Sequence, residues 1–176
     1  MQNITIFCGS KLGKNPLYQS QTVALATLLG QHHKHIIYGG GNSGLMGVVA
    51  NTVLQHGGTV TGIIPTFLNS QERQHQGLTN LIVTDTMHQR KTILFEKSDA
   101  AIILPGGFGT LDELFELVTW NQLELHLIKV FIFNIDGFYT PLQQHIEMMY
   151  NQEFLYNKPS EGITYLNTAS DILPFL

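Results

Sequence analysis

Short apolar runs alternate with helix-spaced apolar positions along most of the chain. Each short run is bounded by glycine, proline or polar residues, which is the pattern of a buried strand. The strands predicted in this way cover residues 4–8, 35–38, 59–64, 81–83, 100–104 and 129–134, with 162–166 as a last edge strand. Strands that alternate with helices predict one α/β domain over residues 1–176, built on a doubly wound parallel sheet.

Helix boundaries are also visible in the sequence. Asn15 followed by Pro16 is typical of an N-cap and a first helical position, and this helix should stop at Gly30. Thr86 is placed to cap a helix that continues to Phe95. Residues 66–79 read as a polar loop long enough to cover a site.

The stretch of residues 100–116 carries the strongest chemical signal. An apolar run leads into Gly106, Gly107 and Gly109, and helical spacing begins at Thr110. Glycines in such a turn let backbone N–H groups at the helix start face an anion. Glu113 follows on the first helical turn, so a phosphate cradle beside a carboxylate indicates chemistry on a phosphorylated small molecule. The alternative is that Thr110 caps the helix and the acidic residues only favour its positive end.

A second glycine turn, residues 39–44, follows the second predicted strand. It lacks the GxGxxG spacing and the later acidic residue of a nicotinamide site. Two glycine turns at neighbouring strand ends can instead wrap one nucleotide. Ligands of such sheets bind outside the carboxyl ends of the strands, and one crevice there is expected to collect most of Ser10, Gly40, Gly41, Arg90, Gly107 and Thr110.

Composition limits the partners. The 176 residues have 43% hydrophobic content, only 12% charged residues and a net charge of -4. This balance argues against a nucleic-acid partner, so any anion site must be local. No basic leader and no apolar stretch of membrane-spanning length is present, which predicts a cytoplasmic protein without a membrane partner. The single cysteine, Cys8, is expected to be a buried residue that ends a strand.

Several charged and aromatic residues leave two interpretations open. Arg90 and Lys91 fall near a helix N-terminus, where the helix dipole disfavours cations, so either a negative group is recruited there or the pair is simply solvated. Glu116 shares a helical face with Glu113 and either fixes Arg90 or faces solvent. Trp120 is expected in the core or at an interface.

Two sequence motifs indicate a resemblance to a known family. MHQRK at residues 87–91 and PGGFGTLDE at residues 105–113 together resemble the lonely-guy (LOG) family of cytokinin riboside 5'-monophosphate phosphoribohydrolases, proteins often mislabelled as lysine decarboxylases. The likeness extends over nearly the whole chain, including residues 39–47 and 134–139. Gln89, Phe108 and Asp112 stand where an acidic residue, tyrosine and glutamate are common in the family.

The resemblance implies a Rossmann-like homodimer. It also implies hydrolysis of the N-glycosidic bond of N6-modified adenosine 5'-monophosphates to free base and ribose 5-phosphate. By the same resemblance, Arg90 and Glu113 match the catalytic pair. The positions that match substrate contacts are Glu72, Lys91, Gly106, Gly107, Phe108, Gly109, Thr110, Leu111, Asp112 and Thr119. The scheme needs no cofactor and no metal.

Cleavage of a ribosyl bond passes through an oxocarbenium-like state that needs nearby negative charge and a water. We expect the Glu113 carboxylate to stabilise the cationic sugar and to orient or deprotonate the water. We expect Arg90 to position the substrate or assist the leaving base. Two alternatives stay open: an AMP nucleosidase with the same chemistry, and a non-catalytic nucleotide-binding or sensing protein. A pyridoxal-phosphate decarboxylase is disfavoured, since the lysines occupy no recognisable Schiff-base context.

Overall fold

The computed structural model describes residues 1–69 and 74–176. In these residues the strands are β1 (Asn3–Phe7), β2 (His35–Tyr38), β3 (Thr59–Pro65), β4 (Asn80–Thr84), β5 (Ala100–Ile103), β6 (Lys129–Phe133) and β7 (Ile163–Leu166). They form one sheet in the order β4-β3-β2-β1-β5-β6-β7, and every pairing is parallel. The predicted α/β fold with a doubly wound sheet is therefore confirmed.

The helices connect successive strands. They are α1 (Pro16–Gln31), α2 (Gly44–Gln55), α3 (Thr66–Asn69), α4 (Met87–Glu96), α5 (Phe108–Gln122), α6 (Thr140–Asn151) and α7 (Pro159–Gly162), with 3₁₀ segments at Ile135–Gly137 and Ala169–Phe175. Both predicted caps are confirmed. The Asn15 side chain accepts a hydrogen bond from the Leu17 N–H at 3.0 Å, and the Thr86 hydroxyl accepts one from the Gln89 N–H at 3.1 Å.

The sheet is covered on both faces, which explains why its strands are almost continuously apolar. Alternate residues of a strand point to opposite faces. Ile4 and Ile6 of β1 therefore enter one core cluster with residues of α1 and α2, such as Leu29. Phe7 points the other way, into a second cluster that includes Leu117 of α5. The helices on the two faces fix the directions in which α4 and α5 approach the carboxyl edge of the sheet.

Three details differ from the sequence predictions. The glycine turns follow β2 and β5, which are separated by β1 and are not neighbouring strands, because β1 occupies the centre of the sheet. The predicted loop of residues 66–79 begins with the short helix α3. The sequence predicts a short final helix over residues 170–175, whereas the structure has a 3₁₀ segment there, Ala169–Phe175. None of the helices in the described residues has the length and apolar content to cross a bilayer.

Candidate active site

A pocket of about 290 Å³ opens at the carboxyl edge of the sheet, where β1, β2 and β5 end. This is the place where parallel α/β sheets bind ligands. The central strand β1 supplies its floor, and α4 and α5 each contribute one charged side chain. The lining residues are Ile6, Phe7, Cys8, Gly9, Ser10, Gly39, Met46, Arg90, Gly107, Phe108, Gly109, Thr110 and Glu113.

The N-terminus of α5 opens into this pocket. Gly107 is its N-cap and makes no side-chain capping bond, so the first backbone N–H groups of the helix have no partner from the cap side chain. A Cβ at Gly107 or Gly109 would meet nothing within 4 Å, which leaves room for a ligand against the backbone. Together with the helix dipole, this arrangement suits an anion such as a phosphate.

The Thr110 side chain packs against Gly106. A Cβ at position 106 would collide with the Thr110 side chain, which is buried and fills that space. Thr110 lies at the third residue of α5, after the N-cap Gly107, so the interpretation of Thr110 as the helix cap is wrong. The glycine is needed here because the threonine takes the volume that a side chain would use. Thr110 thus shapes the glycine turn while it also lines the pocket.

Glu113 points its carboxyl group into the pocket from the second turn of α5. Burial raises its pKa from 4.5 to about 7, and the positive charges of Arg90 and Lys91 oppose that rise. Desolvation disfavours the charged form of a carboxyl, which is why the raising effect dominates. Near neutral pH this group therefore exists in both protonation states, as a group that exchanges protons with substrate or water requires.

Arg90 lies in the first turns of α4 and is 8% exposed. Its Nε donates to the Ile63 carbonyl oxygen at 3.0 Å, and its Nη2 donates to the Gly39 carbonyl oxygen at 3.5 Å. These carbonyls belong to β3 and to the turn after β2, so the strand ends orient the guanidinium. The arginine lines the same pocket as Glu113, and its positive charge acts to lower the pKa of that carboxyl.

Lys91 finds the negative partners that the sequence led us to expect near this helix start. Its Nζ lies 2.8 Å from Asp112 Oδ2 and 2.6 Å from Glu116 Oε2. Both carboxylates belong to α5. Glu116 therefore neither fixes Arg90 nor simply faces solvent, because the neighbouring lysine binds it instead.

The second glycine turn contributes less than expected to the pocket surface. Gly39 lines the pocket, whereas Gly40 and Gly41 do not appear among its lining residues. Gly40 has a φ of +81° and packs against Ile64, so it shapes the turn. Gly41 accepts a hydrogen bond from the Tyr38 hydroxyl at 3.1 Å.

The remaining predicted site residues lie in different places. Ser10 and Phe108 line the pocket, and Phe108 is 93% exposed at its mouth. Leu111 packs against the second core cluster. Thr119 is exposed and its hydroxyl donates to the Phe115 carbonyl oxygen at 2.6 Å, away from the pocket lining. Glu72 falls outside the described residues.

Sequence reasoning missed Cys8 and Met46 as parts of the pocket. Cys8 follows the last residue of β1 and lies beside Glu113, and burial raises the pKa of its thiol. It was expected only as a buried strand-ending residue. The rule that placed Ser10 at the carboxyl edge of the sheet applies equally to Cys8, so its position after β1 was the signal that could have found it.

Comparison with known proteins supports one family. Residues 46–176 match a family model described as possible lysine decarboxylase. The chain is 37% identical over 175 residues to a cytokinin riboside 5'-monophosphate phosphoribohydrolase of Arabidopsis thaliana, covering 99% of this chain and 82% of that protein. It is 41% identical over 147 residues to the protein of the same name from Rhodococcoides fascians, covering 83% of this chain and 74% of that protein.

Solved structures share the fold at low identity. The molybdenum cofactor binding protein from Rippkaea orientalis superposes with a TM-score of 0.72 at 21% identity, covering 99% of this chain and 94% of that chain. The molybdenum cofactor carrier protein from Chlamydomonas reinhardtii gives a TM-score of 0.74 at 14% identity, with the same coverage of 99% and 94%. At such identities the likeness establishes a common fold and carries no statement about ligand.

Proposed function

The chain belongs to the family of cytokinin riboside 5'-monophosphate phosphoribohydrolases, and on that basis we propose that it hydrolyses N6-modified adenosine 5'-monophosphates to free base and ribose 5-phosphate. One observation carries the proposal beyond the family. The half-buried carboxyl side chain of Glu113 and the buried guanidinium of Arg90 line the same pocket, beside a helix N-terminus that is open to an anion. Those are the groups that this reaction needs.

The bond that breaks joins the ribose C1' to the purine nitrogen, and its electron pair leaves with the base, which then takes up a proton from solvent. The sugar develops positive charge in an oxocarbenium-like transition state, which a carboxylate stabilises. In our proposal Glu113 faces C1', orients the attacking water and accepts its proton. Arg90 positions the substrate and assists the departure of the base. This division of roles matches the environment of Glu113, since burial raises the pKa of its carboxyl to about 7.

The phosphate is assigned to the start of α5. The backbone at Gly107 and Gly109 borders open space at the helix N-terminus, and the helix dipole adds a positive field there. Binding energy at a phosphate that does not react can be used to orient the ribose over Glu113. Ser10 lines the same pocket and is proposed as a further contact. Gly40 and Gly41 act in this proposal by shaping the turn after β2.

Other contacts rest on the family likeness. Glu72, Leu111 and Thr119 are proposed as substrate contacts on that ground alone. Homodimer formation is proposed for the same reason, and exposed leucines in the segment that follows α5 support it. Leu123, Leu125 and Leu127 are 63%, 65% and 86% exposed, and clusters of this kind are typical of subunit contacts. Light scattering of the protein and of a Leu125→Lys, Leu127→Lys variant tests this proposal.

A second candidate is an AMP nucleosidase, which uses the same residues on unmodified adenine. The observation that supports this candidate is the exposed Phe108 at the pocket mouth. The family commonly has tyrosine at this position, so the change can alter the preference for the base. A lysine-based decarboxylase has less support: among the described residues that line the pocket there is no lysine. Lys91, beside the pocket, has its ammonium group between two carboxylates.

The deciding experiment is chromatographic detection of free base after incubation with AMP and, separately, with isopentenyladenosine monophosphate. Glu113→Gln and the dephosphorylated nucleosides are the controls. Base release that needs both the 5'-phosphate and Glu113 is the expected result, and the ratio of rates decides between the two substrates. A folded protein that binds both nucleotides and releases no base contradicts the proposal and favours a nucleotide-binding or sensing role.

A further inference from the structure

Helices α4 and α5 are joined by ion pairs at the pocket end. The Lys91 ammonium of α4 lies 2.8 Å from Asp112 and 2.6 Å from Glu116, which are one helical turn apart on α5. The two reacting groups of the proposed mechanism are the immediate neighbours of this trio in sequence. Arg90 precedes Lys91, and Glu113 follows Asp112.

We propose that Lys91, Asp112 and Glu116 form an ion clamp that holds Arg90 and Glu113 in register across the pocket, and that Lys91 is a positioning residue instead of a phosphate ligand. The inference rests on the proposed function, since it concerns how that site is held. It departs from the family likeness, which assigns Lys91 and Asp112 to direct contacts with substrate.

Charge balance supports the clamp. One ammonium between two carboxylates gives the trio a net negative charge, which repels a phosphate. The Lys91 side chain is only 16% exposed and that of Glu116 only 21%. Turning the lysine toward a ligand would leave the Glu116 carboxylate partly buried without its cation, and this is costly for a charged group.

The position of the clamp along the helices supports it as well. At their other ends α4 and α5 meet through the rings of Phe95 and Trp120, which are 5.3 Å apart in an edge-to-face arrangement. This aromatic contact holds the two helices together at that end and leaves their relative position at the pocket end to other side chains. The ion pairs fix the opposite ends, where an error in register would displace Glu113 relative to Arg90.

The expected effect of the clamp is on rate more than on stability. Partly exposed ion pairs add little to the free energy of unfolding. A displacement of reacting groups by about 1 Å can lower a rate by about a hundredfold. The clamp therefore predicts variants that fold and bind substrate normally but turn over slowly, which is the signature of lost alignment.

The test compares Lys91→Met with the double variant Asp112→Asn, Glu116→Gln and with the triple variant. The clamp predicts that kcat for isopentenyladenosine monophosphate falls about tenfold in each of them and that KM changes by less than about twofold. It also predicts that the triple variant is no slower than Lys91→Met. Lys91→Arg should keep most of the activity because its guanidinium can bridge both carboxylates. Glu96→Gln, an exposed change on the same helix, is the matched control.

The assignment of Lys91 as a phosphate ligand predicts changes in AMP affinity that the clamp does not predict. If Lys91 binds the phosphate, Lys91→Met weakens AMP binding, while the double variant frees the lysine and tightens it. Calorimetric AMP affinities of these variants therefore decide the question even if no base is released, a result that would overturn the proposed function separately. A loss of AMP affinity in Lys91→Met above about tenfold, together with unchanged or tighter binding in the double variant, overturns the clamp. So does an unchanged kcat in Lys91→Met.

Discussion

The Nε of Arg90 donates a hydrogen bond to the Ile63 carbonyl oxygen at 3.0 Å. The guanidinium is therefore attached to the carboxyl end of β3, although the arginine belongs to α4. The same group lies against Gly39, where a Cβ would collide with Nη2. Position 39 is thus a glycine because the arginine occupies the volume that a side chain would fill.

This packing predicts that Gly39→Ala displaces Arg90 and lowers activity. The φ of Gly39 is not positive, so the alanine itself is not strained and the protein should fold. Activity should fall about tenfold to a hundredfold, the range expected for a misplaced reacting group. Steady-state kinetics with AMP measure it. Gly162→Ala is the matched control, since its Cβ would meet nothing within 4 Å, and equal activity of the two variants contradicts the prediction.

Activity should depend on the protonation of Glu113. Burial raises the pKa of this carboxyl to about 7, and the proposed mechanism needs the ionised form. We expect kcat/KM to fall as pH decreases through about 7. The second ionisation of the substrate phosphate lies at about pH 6, so Glu113→Asp serves to separate the two groups. An acid limb that is identical in Glu113→Asp and in the wild-type protein would assign the titration to the phosphate.

Local features of this structure, such as the helix caps, could be predicted from the sequence because neighbouring residues determine them. The Asn15 cap with Pro16, and the Thr86 cap of α4, need only one helical turn to form. The convergence of Arg90 and Glu113 also followed, since both lie after strands of a parallel sheet and such strands share one carboxyl edge. Most of the pocket could therefore be predicted.

The unpredicted parts depend on register between distant elements. Lys91 pairs with Asp112 and Glu116 because the fold brings these side chains of α4 and α5 together, which no spacing in the sequence reveals. The role of Gly39 beside Arg90 and the place of Cys8 beside Glu113 have the same origin.

A substitution at the mouth of the pocket should weaken substrate binding without affecting the stability of the fold. Phe108 is 93% exposed, so Phe108→Ala should alter the free energy of unfolding by less than about 0.5 kcal/mol. An exposed ring beside a ligand becomes buried on binding, and its loss should raise KM about fivefold or more. Tyr156→Ala, at a residue that is 96% exposed, is the matched control. An unchanged KM in Phe108→Ala would show that the ring does not contact substrate.

The stability of the protein should reveal the burial of Glu113 independently of catalysis. A carboxyl whose pKa is raised from 4.5 to about 7 favours the folded state only while it is protonated. This contribution is fully present below 4.5 and is lost as pH rises through about 7. Above that pH the charged carboxylate should cost the folded protein about 3 kcal/mol.

Glu113→Gln removes this titration and keeps the shape of the side chain. Relative to the wild-type protein, the variant should gain about 3 kcal/mol of stability between about pH 4 and about pH 8, because only the wild-type carboxyl ionises over that range. Urea unfolding at both pH values measures the gain, with Glu96→Gln as an exposed control that should gain almost nothing. A variant whose stability follows the wild-type curve at every pH would show that Glu113 is solvated, and the proton exchange proposed for it would then have lost its physical basis.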